Sequence, residues 1–114
     1  MRTIEVTVDE VCKQMSWSGN LPISPETNDH KVQVCLGAPG AIPMLTEAMW
    51  VFPRKQEKLL EIALKAGEIT WQFGLVRKGN GICHGISGNG YMLHCLHRAI
   101  ERLAKQADKN NQKP

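Results

Sequence analysis

CHGISGNGYML, residues 83–93, repeats the pattern of CLGAPGAIPML, residues 35–45, at an offset of 48 residues. Both read Cys-x-Gly-x-x-Gly, then three residues, then Met-Leu. Glycine is entropically expensive in a folded chain, so so much of it implies an unusual backbone path or a close approach. A period of this length suits a two-helix hairpin repeated around an array, as in helical solenoids and toroids. Alternate helices of such an array are equivalent. Both Gly-rich turns are therefore expected at one rim, with Cys35 and Cys83 as neighbours.

The chain on either side of the turns fits helices. Residues 55–73 carry the clearest pattern: Leu59, Ile62, Ala63, Ala66, Ile69, Thr70 and Phe73 recur at three- and four-residue steps, and Gly74 closes the run. A last helix is predicted over about 89–108, with Met92, Leu96, Ala99, Ile100 and Leu103 as its apolar stripe. The stretch VQVCL at 32–36 is strand-like and opens into a helix predicted over about 41–52. Pro43 then falls in its first turn and Pro53 marks its end. A short helix is predicted over 7–15, capped by Thr7, followed by a Pro- and Asn-containing loop. The expectation is an all-α chain of about four helices with Gly-rich loops and a disordered tail at 109–114. Trp17, Trp50 and Trp71 read as core or interface anchors.

Composition narrows the function classes. The chain has 114 residues, 42% of them hydrophobic but only 5% aromatic, so its core must be built from aliphatic residues and Met. A net charge of +3 with Lys, Arg and Glu interspersed is not the concentrated basic face of a nucleic-acid binder. No run approaches the roughly 18 apolar residues of a membrane span. Glu5 and Asp9 stand where a signal peptide would be basic and then apolar. A cytoplasmic protein is the expectation, and its four cysteines read as free thiols or metal ligands rather than disulfides.

Cys35, Cys83 and His84 are the residues with chemistry to offer. Thiolate sulfur and neutral imidazole are preferred zinc ligands, and three of them leave a fourth position for water or substrate. Flanking glycines would let adjacent Cys83 and His84 turn toward one ion, and the helix N-terminus that follows would favour the thiolate. Ordinary buried cysteines and a Cys35–Cys83 redox pair are the competing readings. Cys12 and Cys95 read as small hydrophobes, His94 and His97 as partly exposed polar positions, and His30 as a solvated loop residue. GNGICHG lacks the Gly-Lys-Ser/Thr of a phosphate cradle.

CLGAPGAIPML and GNGICHGISGNGY, with VDEVCKQ, SGNLP and ITWQFGLVRKG around them, resemble the eukaryotic LanC-like family, relatives of the bacterial lanthipeptide cyclases. The resemblance spans about residues 8–105. It implies a partial LanC-like domain over 1–114, a fragment of an (α/α) toroid with zinc-loop repeats at 35–52 and 79–108. It assigns zinc as cofactor to Cys35, Cys83 and His84, and a glutathione contact to Lys78. The activity it implies is zinc-activated addition of a thiol, from glutathione or a peptide cysteine, to dehydroamino acids. The resemblance also leaves peripheral plasma-membrane association open. The catalytic general acid has no strong candidate in this sequence, so the catalytic residue is unknown. Family members are several times longer, and their Trp-Cys-His-Gly stands here as Val34-Cys35-Leu36-Gly37. The alternative is a non-catalytic helical-repeat module that binds zinc or glutathione and acts through partners. A part-toroid leaves apolar edges uncovered, so marginal, association-prone or metal-dependent folding is expected.

Overall fold

In the computed structural model, which describes residues 2–15, 18–22 and 31–113, the chain is all helical. The elements are α1 (Arg2–Met15), α2 (Ala38–Val51), a 3-10 turn at Pro53–Lys55, α3 (Gln56–Phe73) and α4 (Ile86–Asn111). No strand occurs among the described residues. This is the architecture expected of a fragment of a helical toroid. Trp17 and His30 lie outside the described residues.

α2 is the centre of the packing because its sequence is apolar nearly all round. Glu47 is its one charged residue, and such a helix must be covered on several sides. α3 covers one side, α4 another, and α1 leans on both α2 and α3. Ile42, Leu45 and Met49 are fully buried, facing Leu59, Ile62, Ala63 and Ala66 of α3 and Met92 and Leu96 of α4. Gly67 sits mid-helix in α3 for a packing reason: a Cβ there would lie 2.5 Å from Leu96 Cδ2.

Several boundaries differ from the sequence expectation, each for a local reason. α1 starts at Arg2, and Thr7 is not its cap; the Thr7 hydroxyl donates to Thr3 O at 2.9 Å inside the helix. α2 starts at Ala38, three residues early, because Asn20 Oδ1 accepts the Ala38 N–H at 2.6 Å from outside the helix. Pro39 thus occupies the first turn, while Pro43 lies in the second and leaves the Pro39 carbonyl without its usual donor. The strand-like stretch 32–36 makes bends instead. Gln33 and Leu36 exchange backbone hydrogen bonds with each other at 3.3 Å, and Cys35 N–H leaves for another loop.

Apolar identity alone did not decide burial at the C-terminal end of α3. Phe73 was expected on the core stripe, yet it is 60% exposed, and Trp71, read as a core or interface anchor, is 75% exposed and so not a core residue here, with Leu75 beside them 80% exposed. Trp50 is half-buried, with the Arg102 guanidinium 4.0 Å above its ring. α4 buries residues as far as Ala99, with Leu103 half-buried against the core, and from Ala104 onward every described residue is exposed. It continues to Asn111, into the stretch read as a tail. No helix of the described residues is long and apolar enough to cross a membrane.

α1 is held by three buried side chains, Val8, Cys12 and Met15, and by one ionic clasp. Burial pushes the Cys12 thiol up, as for a small core residue. Lys55 Nζ reaches Asp9 Oδ2 at 2.6 Å and Glu5 Oε1 at 2.9 Å, and these two hydrogen bonds, Asp9 first, raise the lysine above its ordinary value. A raised lysine contributes stability that is complete below the free-lysine pKa and lost as pH climbs through the folded value. Lys55→Met should therefore speed amide hydrogen exchange across Glu5–Cys12 at neutral pH and leave α2–α4 protected. Equal protection in α1 of both proteins would remove the clasp from the account.

Candidate metal and thiol site

Two loops build the site, and they repeat each other in three dimensions. α2 and α4 begin at Ala38 and Ile86, at the same 48-residue offset as the motifs. A Cβ on Gly40 would lie 2.0 Å from the Val34 carbonyl oxygen, and one on Gly88 would lie 1.8 Å from that of Ile82. A Cβ on Gly37 would meet Lys31 O at 2.3 Å, and one on Gly85 would meet Gly79 O at 2.6 Å. Every partner pair keeps the offset. The glycines are thus required chiefly by close approach of each loop to the helix it precedes. Gly37 adds a φ of 140°, which side-chain-bearing residues rarely adopt.

The loops meet directly. Cys35 N–H donates to Cys83 O at 2.9 Å, joining the first turn to the second. The second turn closes on itself through Gly85 N–H to Gly81 O at 3.0 Å and Ile86 N–H to Gly79 O at 3.1 Å. Asn89, 2% exposed, braces the arrangement from α4, its Nδ2 donating to Val32 O at 2.8 Å and Gly74 O at 2.9 Å. It is therefore a tie between loops, beyond the helix-starting role its position suggests. Its Oδ1 is buried and meets no protein donor.

Cys35, Cys83 and His84 come together at this rim. Their two sulfurs and an imidazole nitrogen all lie within 4.8 Å of one another, and all three residues are exposed. That exposure excludes the reading of Cys35 and Cys83 as buried core thiols. Tetrahedral zinc, with bonds of about 2.3 Å to sulfur and about 2.0 Å to nitrogen, places its ligand atoms roughly 3.5–3.8 Å apart. Side-chain adjustments of about an ångström bring the three into that range, so the donor set fits the metal in chemistry and in spacing. Without a metal, the Cys83 thiol is pushed up, foremost by its hydrogen bond with Cys35.

Lys78 stands one residue away from the sulfurs. Its Nζ donates to Gln33 Oε1 at 3.2 Å, and Gln33 Nε2 in turn donates to Cys35 Sγ at 3.4 Å. Gln33 has no role in the sequence reading. Its signal was a lone polar residue in the apolar run VQVCL. Cys95 is half-buried, with Thr46 Oγ1 3.9 Å from its sulfur. His94 and His97 are exposed, their ring centroids 6.5 Å apart. Among the described residues no other group of three His, Cys, Asp or Glu side chains is arranged to share an ion. A cleft of about 810 Å³ between α2 and α4, walled by Trp50, Tyr91, Cys95 and Arg102 among others, takes no residue from either loop.

The family described as lanthionine synthetase C-like protein matches residues 2–113. The chain is 42% identical over 99 residues to glutathione S-transferase LANCL1 of Danio rerio, which covers 86% of this chain and 24% of that protein. It is 40% identical over 82 residues to LanC-like protein GCL1 of Arabidopsis thaliana, covering 71% of this chain and 18% of that protein. The chain thus spans about a quarter or less of the length of these relatives. No solved structure matches it significantly.

Proposed function

Because the chain belongs to the lanthionine synthetase C-like family, we propose that Cys35, Cys83 and His84 hold a zinc ion that binds a thiol of the glutathione type for addition to dehydroamino acids. One observation carries this reading: three side chains of zinc-ligand chemistry, drawn from turns 48 residues apart, lie within 4.8 Å of one another at a solvent-facing rim. The name glutathione S-transferase, borne by the Danio rerio relative, supports the choice of thiol.

An ordinary thiol has a pKa of about 8.5, and bound zinc would supply the charge that keeps the incoming sulfur a thiolate at neutral pH. The chain's own residues perform the rest. Cys35, Cys83 and His84 would hold the ion with three protein ligands, a set that leaves room for the incoming sulfur. Lys78 offers a cationic donor to a carboxylate of that thiol, which fixes one end of it relative to the rim. In the addition, a sulfur lone pair forms the C–S bond at the β-carbon, the alkene pair moves toward the α-carbon and its carbonyl, and a proton added at the α-carbon completes the product.

The alternative reading is a module that binds metal and thiol without turnover. Metal analysis and a mass-spectrometric assay of glutathione with a dehydroalanine peptide separate the two. One zinc per chain with a thioether adduct supports the enzyme, and one zinc with no adduct supports the binding module. A purified chain without zinc overturns both.

A further inference from the structure

Gln33 occupies an unusual place for a polar loop residue. It is 4% exposed while Cys35, two residues on, is exposed. Its backbone is pinned by paired hydrogen bonds with Leu36, N–H to O in each direction at 3.3 Å. The side-chain amide is used at both ends: Nε2 donates to Cys35 Sγ at 3.4 Å, and Oε1 accepts from Lys78 Nζ at 3.2 Å. One side chain thus links a sulfur of the first turn to the cation of the second.

We propose that Gln33 is a positioning residue of the metal site. It aims the Cys35 sulfur at the ion, and Lys78 sets the direction in which Gln33 does so. The inference rests on the zinc reading of Cys35, Cys83 and His84 and deepens it.

The argument turns on the chemical difference between the two ends of a carboxamide. Lysine's ammonium only donates, so it can face only the oxygen of Gln33. With Oε1 held by Lys78, the NH2 group is turned toward Cys35. Sulfur there receives a donor, which suits a thiolate ligand and opposes its rotation away from the rim. Were the amide reversed, its oxygen would face the sulfur and repel a thiolate. Buried as it is, the amide also loses hydrogen bonds that water would not replace if either partner left. Groups that hydrogen-bond metal ligands in this way fix ligand orientation, and their loss typically costs 10–100-fold in metal affinity.

Three variants test this in zinc competition titrations against a chromophoric chelator, read beside the near-ultraviolet thiolate-to-metal absorption of cobalt-loaded protein. Gln33→Leu keeps the bulk and removes both hydrogen bonds. Gln33→Glu keeps an acceptor for Lys78 and removes the donor to sulfur. Lys78→Met leaves Gln33 in place and frees its amide to turn. Gln33→Leu and Gln33→Glu should each weaken zinc by roughly 10–100-fold and alter the cobalt band. Lys78→Met should shift both readouts in the same direction by less. Thermal unfolding of the metal-free forms checks that each variant is folded, and the exposed Lys78 supplies a variant without a buried change. Wild-type affinity in Gln33→Leu overturns the inference, and wild-type affinity in Gln33→Glu reduces Gln33 to an anchor for Lys78 and overturns it equally. A wild-type chain that takes up no zinc overturns the zinc reading itself, so the two failures are told apart.

Discussion

Gly88→Ala should destabilise the chain by about 3 kcal/mol or more, at or beyond the top of the usual 1–3 kcal/mol range for overpacking. The reason is what the added methyl meets. It would lie 1.8 Å from the Ile82 carbonyl oxygen, 2.7 Å from its carbon and 2.9 Å from Val34 Cγ2. A flexible side-chain end could yield, whereas a carbonyl can move only by dragging the peptide that leads into Cys83. Cys83 O holds the Cys35 N–H, so the displacement also parts the two turns. Urea unfolding measures the loss as a fall in midpoint. The matched control is Gly90→Ala, two residues along the same helix, where a Cβ meets nothing within 4 Å. Helix propensity alone predicts that it stabilises by up to about 1 kcal/mol. Equal midpoints for the two variants would refute the close-approach account.

Cys83→Ala should lower zinc affinity by at least about a hundredfold. Structural zinc sites release roughly 10–16 kcal/mol on binding, so one ligand of a small set carries about 3 kcal/mol or more, and each 1.4 kcal/mol is tenfold in affinity. Cys95→Ala should leave zinc binding unchanged, since Cys95 faces Thr46 and the α2–α4 cleft rather than the rim. Isothermal titration of both variants against wild type reads the contrast. Equal losses in the two would remove Cys83 from the site.

The parts of this molecule legible in its sequence are those written as periodicity. The 48-residue repeat led to Cys35 and Cys83 on one rim, and the three- and four-residue steps led to the buried faces of α3 and α4. Features that depend on a distant partner were hidden. Pro43 looked like a first-turn proline because nothing near it reveals that Asn20, far back in the chain, would start α2 at Ala38. VQVCL carried the composition of a strand, yet it bends where Gln33 and Leu36 bond each other and Cys35 N–H meets Cys83 O. Phe73 obeyed the helical step and still faces outward. Gln33 was passed over because a single polar residue among hydrophobes has no motif, although its partners lie on two separate loops.

The stitch between Cys35 N–H and Cys83 O joins points that the backbone separates by 48 residues. A covalent bridge over such a span would take about 4 kcal/mol of freedom from the unfolded chain. An ion gripped from both ends would act as a removable cross-link of that strength, tightening by about 1.4 kcal/mol for every tenfold rise in free metal above its dissociation constant. Metal supply would then govern how long the chain survives as well as what it can bind.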